Sequence, residues 1–464
     1  MTKYRTIGFL VILYFIIINS VPFLLPHGGI GGDFPLYIKI AKDLPEINNN
    51  LFPIGFPFFL RIFETLTSEY FYSSLLLKST CFIFIIFFSY KKKFYFIETV
   101  FAMMIKSSIW VFIHQGSEYI TLPFLYLYIY VLHQYFNGAL KPNKFLIYST
   151  ILGFILCTIR YANVFIFISI LPFIIYYWKK FNAYRKKLFT STVLIGISFF
   201  LYLLYNYVII GSLAGENNRV NDELDTFWFD TYVDFIGIIN LSNPFFYLKT
   251  FEYSSTIKLI ISLLFIFVDL ILWRYCWKVI KNKQNVFVTF LLFIAIVNAL
   301  FTFFAAMFQG IEPLGIRLLF SSSYLFWFAL VILIRENKLL SDKLLVTFCL
   351  FSFIFNVLII VKNPINFIAY KNNIEEFIDH KKIKPLYYFD DDKKVEETIY
   401  KIPFSSKTFQ YIHENRQPDF IYQAILNSIN PSIIYLRDNP KNINSQNIIY
   451  SSQLNEYIEH KKSH

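Results

Sequence analysis

The sequence predicts an all-α polytopic membrane protein, and three observations carry that expectation. Apolar residues make up 56% of the 464 and charged residues only 16%, with a mean hydropathy of +0.49. A soluble domain carries roughly 25% charged residues. The apolar residues come in long blocks rather than stripes, and several blocks reach the roughly 17–25 residues that take a helix across a bilayer. Basic residues recur in every second gap between the blocks. A transmembrane barrel would instead be written as alternating segments of about ten residues.

The blocks lie at about 6–26, 71–90, 94–113, 119–136, 144–159, 162–178, 188–210, 257–277, 286–308, 319–334 and 343–361, which predicts about 11 transmembrane helices. The first, Ile7 to Leu25 behind Lys3 and Arg5, is long and lacks a small-residue cleavage site. It therefore reads as a retained helix rather than a signal peptide. Lys91 to Lys93, Lys141 with Lys144, Lys179 to Lys187, Arg274 to Lys283 and Arg335 to Lys343 fill alternate gaps. Positive loops stay in the cytoplasm, so these gaps and the N-terminus are expected inside.

The remaining loops, 27–70, 114–118, the turn at Arg160, 211–256, 309–318 and the tail from Lys362, are then outside. The stretch 144–178 is too long for one helix and basic at both ends. A short hairpin with Arg160 near its tip solves it, and a charge so close to the membrane is costly unless it faces protein, water or an anion. The net charge of +12 marks cytoplasmic loops and membrane lipids, not a nucleic-acid partner. Cys81, Cys157, Cys276 and Cys349 stand singly in apolar blocks, which suggests neither a metal knuckle nor a disulfide framework.

The chain thus divides into a membrane module, 1–361, and an outward-facing C-terminal soluble domain, 362–464. The tail alternates short apolar runs, Pro385 to Phe389 and Ser432 to Leu436, with polar segments, as a small α/β appendage would. Asp390, Asp391 and Asp392 follow the first run and read as a solvated loop. With no organelle signal visible, the expected location is a bacterial inner membrane, N-terminus cytoplasmic and C-terminus periplasmic or extracellular.

The candidate site residues sit in the outer loops. Asp33 opens a segment with apolar Leu36, Ile40 and Leu44 opposite Lys39, Lys42 and Asp43, the pattern of an interfacial amphipathic helix. Asp33 is either its N-cap or a functional acid. Gly28-Gly29 and Gly31-Gly32 before it permit close backbone approach. Glu118, in His114-Gln-Gly-Ser-Glu118, stands at a very short loop and so close to the membrane surface. It is either a helix-dipole acid or a second functional acid. Two such acids can share the activation of an acceptor nucleophile or share a divalent metal.

Arg160 and Arg317 are basic residues in outer turns that otherwise hold few, and a guanidinium fork suits phosphate oxygens. Lys106 lies midway through the third block, where a charge needs a partner. Lys78 reads as snorkelling outward, and Asp269 as pairing with a basic neighbour near the inner side.

In order along the chain, these motifs resemble the GT-C glycosyltransferases, polytopic enzymes of the kind that includes the dolichyl-phosphate-mannose-protein mannosyltransferases. The resemblance rests on Asp33 with Tyr37 one turn later and the turn Pro53-x-Gly55-x-Pro57. It continues through Ser117-Glu118, the Arg160 kink, Tyr205-Asn206 with Gly211-Ser212, and Arg317.

It implies inverting transfer of a sugar from a polyprenyl-phosphate donor to a glycan, lipid or protein acceptor at the outer face. Asp33 would be the base, with Glu118 a second acid and Arg160 and Arg317 holding the donor phosphate. Tyr37, Lys106 and His114 would complete the substrate site, and loop 211–256 would close over it. Asp33-Phe34 stands where many relatives carry two adjacent acids, which leaves a divalent cation and the subfamily open.

Other readings stay in view. An O-antigen-type polymerase relies on outer-loop arginines, and loop 211–256 offers only Arg219. A transporter or flippase of lipid-linked glycans is built from internal repeats, and none is evident. A structural membrane subunit would place no demand on these residues.

Overall fold

Among the described residues each of the eleven apolar blocks is helical, in one long helix or in shorter pieces, so that its backbone groups bond to one another. The computed structural model describes residues 2–25, 28–30, 33–47, 50–67, 69–177, 182–215, 227–246, 256–281, 285–307, 314–380, 387–389, 391, 434–436 and 443–462. Helix α1 is Thr2–Ser20, and the first outer loop holds α2 (Phe34–Asp43) and α3 (Gly55–Thr67). Then come α4 (Tyr70–Lys92), α5 (Phe96–Met103), α6 (Lys106–Ile113), α7 (Glu118–Phe136), α8 (Pro142–Ile159), α9 (Val164–Ile168), α10 (Ile170–Tyr176) and α11 (Asn182–Ile210). The chain continues with α12 (Phe227–Ile239), α13 (Thr256–Lys281), α14 (Val286–Ala306), α15 (Phe320–Glu336), α16 (Asp342–Ile360) and α17 (Phe367–His380).

The count of membrane crossings is where expectation and structure part. Among the described residues six helices, α1, α4, α8, α11, α14 and α16, are long and apolar enough to cross a bilayer. A seventh is reached if α5 and α6 count as one span bent by 70°. Three of the other blocks differ for visible reasons. Helix α7 carries Tyr119, Tyr126 and Tyr128, and α15 is 17 residues long and buried on every side. A helix encased by others need not be written for lipid. The block 162–178 is a 3-10 turn, Tyr161–Asn163, followed by the short helices α9 and α10.

The loops gather at two ends. At one end Gln115 N donates to Gly29 O at 2.7 Å, Arg160 Nη1 to Arg317 O at 3.0 Å, and Ile365 N to Leu24 O at 2.8 Å. At the other, Arg335 pairs with Glu98 and with Asp342, and Tyr184 Oη donates to Phe136 O at 2.9 Å. The outer and inner groups read from the basic residues thus correspond to the two ends of one bundle.

The tail is fastened to the first end through α17. Lys371 pairs with Glu69 at 2.7 Å, and the Phe367 and Phe71 rings lie 4.7 Å apart. Beyond it, β1 (Tyr387–Phe389), β2 (Ile434–Leu436) and β3 (Ile448–Tyr450) form a parallel sheet in the order β2-β1-β3, with α18 (Ser451–Lys462) following. Asp391 accepts from Ser451 Oγ and Ser452 N, each at 2.9 Å, and so caps α18. Asp390 and Asp392 lie outside the described residues.

One sequence expectation is corrected: Lys78 does not snorkel, but is fully buried in α4 and reaches Ile113 O at 3.4 Å. Asp269 accepts from Asn240 Nδ2 and Asn243 Nδ2 at 2.7 Å each, and its basic neighbour is Lys106, which bonds the same Asn240.

Candidate functional site

Four residues far apart in sequence meet at the first end of the bundle. Asp33 precedes α2, Glu118 is the first residue of α7, Arg160 terminates α8 in an extended conformation, and Arg317 sits in the turn before α15. Arg317 Nε donates to Glu118 Oε1 at 3.0 Å, and its Nη2 donates to Asp33 Oδ2. Arg160 Nη1 lies 3.2 Å from the same Glu118 Oε1. Two guanidiniums therefore face two carboxylates, and the four formal charges cancel.

The helix-cap alternative fails for Asp33, which has helical backbone angles and a side chain that makes no capping bond. Glu118, the first residue of α7, sets its carboxylate against both arginines and also against its own backbone N–H, so the helix terminus and the guanidiniums hold it together. The two acids are also unequal: the Glu118 side chain is 4% exposed and that of Asp33 32%. Burial alone would raise the Glu118 carboxyl, but the Arg317 and Arg160 charges and hydrogen bonds outweigh it and hold it below the ordinary carboxylate range.

Small residues make the convergence possible. Gly29, at φ +72°, passes close to Ile113 O, so the strand leading to Asp33 lies against the loop leading to Glu118. Gly31 and Gly32 lie outside the described residues. A Cβ on Gly116 would run into Glu118 Oε2. Gly55, in the Pro-x-Gly-x-Pro turn, lies so close to α8 that an added Cβ would be 2.6 Å from Thr158 O. That contact fixes the last turn of α8 and hence Arg160. Gly55→Ala is expected to cost about 1–3 kcal/mol through overpacking and to shift Arg160, read as a lower melting temperature in detergent. An unchanged melting temperature would show that α8 yields there.

Not every expected residue joins the quartet. Tyr37 is turned inward, its ring 4.6 Å from Phe52 and 4.8 Å from Phe56 and its hydroxyl 3.2 Å from Ser117 Oγ. Burial, with the Asp33 and Glu118 charges, pushes its phenol far up, so it supports the Ser117-Glu118 turn as a neutral group. His114 is half-buried and stacks on Trp110 at 3.9 Å, donating Nδ1–H to Trp110 O at 2.9 Å. Burial, with the nearby Lys78 and Arg317 charges, lowers it to about 4. It is therefore neutral at neutral pH, with Nε2 an acceptor. Lys106 belongs elsewhere: at the α5–α6 break it donates to Asn240 O at 2.8 Å and Phe246 O at 3.1 Å.

Asn50, Tyr161 and Tyr202 hold the site without having stood out in the sequence, together with Ser212 and Asn206 of the motif that did. Tyr161 Oη donates to Asn50 O at 2.9 Å, Ser212 Oγ donates to Asn50 Oδ1 at 2.8 Å, and Tyr202 Oη accepts from Ile54 N at 3.1 Å. Asn206 donates to Leu213 O at 3.1 Å, so the Tyr205-Asn206…Gly211-Ser212 stretch braces the segment between α2 and α3. The described part of the 211–256 loop is no simple cover. Trp273 and Trp327 donate to Ile239 O and Leu241 O, placing residues 239–241 between α13 and α15. Arg219 and the acids at 216, 222, 223 and 225 lie outside the described residues.

Among the described residues no group of three or more His, Cys, Asp or Glu is placed to hold a metal ion, and both site carboxylates are turned to guanidiniums. The arrangement offers an accessible carboxylate, two fixed guanidiniums and a neutral imidazole at one end of a membrane bundle. No family model, no curated protein and no solved structure matches this chain.

Proposed function

We propose that the protein is a membrane glycosyltransferase of the GT-C type, moving a sugar from a polyprenyl-phosphate donor to a glycan, lipid or protein acceptor. The observation that supports this best is the meeting of Asp33, Glu118, Arg160 and Arg317, four residues from four separate outer loops. In the reaction the acceptor oxygen attacks the anomeric carbon and Asp33 takes its proton. The bond from that carbon to the phosphate oxygen breaks, and the phosphate leaves with the electron pair. Arg160 and Arg317 stabilise the departing anion, where fixed positive charge acts most strongly in a site shielded from water.

The inequality of the acids gives them different tasks. Glu118, shielded and shared by both arginines, keeps the guanidiniums charged and in place. Asp33 is the accessible partner of Arg317, and an arriving phosphate competes with it for Nη2. Donor binding therefore releases the base. The same reading takes all eleven apolar blocks as crossings of a bacterial inner membrane, N-terminus cytoplasmic and the quartet on the outer face. The alternation of basic loops supports that sidedness.

A transport reading is favoured by one feature, the 70° break between α5 and α6 with Lys106 bonded to backbone carbonyls at the break. Reconstituted protein offered a panel of polyprenyl-phosphate sugars and acceptors separates the two. The expected result is transfer by the wild type and a loss of about 10²–10³-fold in Arg317→Ala. Movement of the lipid-linked sugar across the vesicle without transfer to any acceptor overturns the enzyme reading.

A further inference from the structure

We infer that Asp234 is a positioning residue for Arg317, so that helix α12 of the 211–256 segment sets the donor site's affinity for phosphate. The inference rests on reading Arg317 as a phosphate ligand. Asp234 is buried in α12, and Gly237, one turn on, lies on its side of the helix. A carboxylate there is costly unless hydrogen-bonded, and a valine would serve mere packing better. Its Oδ1 accepts from Leu314 N at 2.7 Å.

One turn later Gly237 lies against the carbonyl of the same residue, so closely that a Cβ would collide with Leu314 O. α12 therefore grips both polar groups of one peptide residue, three positions before Arg317. Leu314 itself is fully buried, packed with Leu241, Ala299 and Leu319. On the far side Arg317 O accepts from Phe320 N at 3.2 Å and Arg160 Nη1 at 3.0 Å. The turn is thus held by α15 and Arg160 behind Arg317 and by α12 ahead of it.

α12 has a fixed base from which to hold. Its C-terminal end runs into the 3-10 turn Asn240–Ser242, which Asp269 of α13 ties down through Asn240 and Asn243, while Lys106 donates to Asn240 O. A displacement of the outer segment would move α12 about that base and carry Leu314 with it. Arg317 reaches Glu118 Oε1 at 3.0 Å only if its turn stays where Asp234 holds it.

The test measures binding of a polyprenyl monophosphate to purified protein in detergent, with amide hydrogen exchange across 314–319 and melting temperature alongside. Asp234→Ala is expected to speed exchange across 314–319 and to weaken binding about tenfold, a 1.4 kcal/mol change, with little change in melting temperature. Asp234→Asn keeps the Oδ1 acceptor and is expected to restore most of both. Gly237→Ala, which wedges α12 from Leu314, is expected to reproduce the alanine effect.

Faster exchange with unchanged binding would reduce Asp234 to a loop fastener and overturn the inference, as would unchanged exchange. Arg317→Ala serves as the control. If it leaves monophosphate binding intact, the reading of Arg317 itself falls. If it abolishes binding while Asp234→Ala does not, only the role of Asp234 falls.

Discussion

Asp33→Asn is expected to lower sugar transfer by about 10²–10⁴-fold, the range a positioned general base contributes, while leaving the protein folded. The substitution keeps size and one oxygen but removes the proton acceptor. Folding should survive because Asp33 is the exposed member of the quartet, and Arg317 keeps Glu118 as a charged partner at 3.0 Å. An ion pair of that accessibility contributes about 0–1 kcal/mol.

A second consequence has the opposite sign. Asp33 and the donor phosphate compete for Arg317 Nη2. Removing the carboxylate should therefore strengthen binding of a polyprenyl monophosphate, by severalfold, in the same variant that cannot transfer. Lost transfer with tighter binding is the signature of a masked base. Retained transfer would assign the proton to another group, and lost transfer with equally lost binding would make Asp33 a scaffold for Arg317 instead.

The outer loops showed Asp33, Glu118, Arg160 and Arg317 in the sequence because charge is scarce in this chain, and an acid or arginine beside an apolar block needs a reason. The parity of the basic loops placed all four on one side, and they do lie at one end of the bundle. What the sequence hid follows from the same physics. Tyr37 sits one helical turn from Asp33, as a substrate ligand would, yet helical spacing does not say which way a tyrosine faces, and here Phe52 and Phe56 draw it in.

Lys106 looked functional for its depth, but Asn240 and the Phe246 carbonyl, from a segment more than a hundred residues on, satisfy it. Asp234 stands in a loop between two apolar blocks, and nothing in that position shows that residues 239–241 enter the bundle between α13 and α15. Hydropathy marks eleven blocks, while six or seven helices among the described residues are long and apolar enough to cross a bilayer, and the difference has a related reason. A helix surrounded by helices, such as α15, and a pair broken at Met104-Ile105, such as α5 and α6, have the composition of spans without their length.

Glu118 is the residue whose loss should damage the fold most. Glu118→Ala leaves Arg160 and Arg317 beside one another with Asp33 as the remaining carboxylate of the quartet, in a pocket where the Glu118 side chain is 4% exposed. Breaking a buried pair by removing one partner costs about 3–5 kcal/mol. The expected result is a large drop in melting temperature in detergent, with donor binding lost because both arginines move. Glu118→Gln keeps the shape and restores packing but not the charge, and should recover only part of the stability.

The pH dependence has a definite sign. The folded protein holds the Glu118 carboxyl below its ordinary value, so its ionisation stabilises the fold fully above the unfolded value of ~4.3. That contribution is lost as pH falls through the lowered folded value. In Glu118→Gln the acid limb of the stability curve should therefore be shallower. A Glu118→Gln protein as stable as the wild type across pH, deficient only in turnover, would show that Glu118 handles a proton in the reaction. The two carboxylates would then be chemical partners, and the arginines would owe their places to the backbone contacts at Gly55 and Leu314.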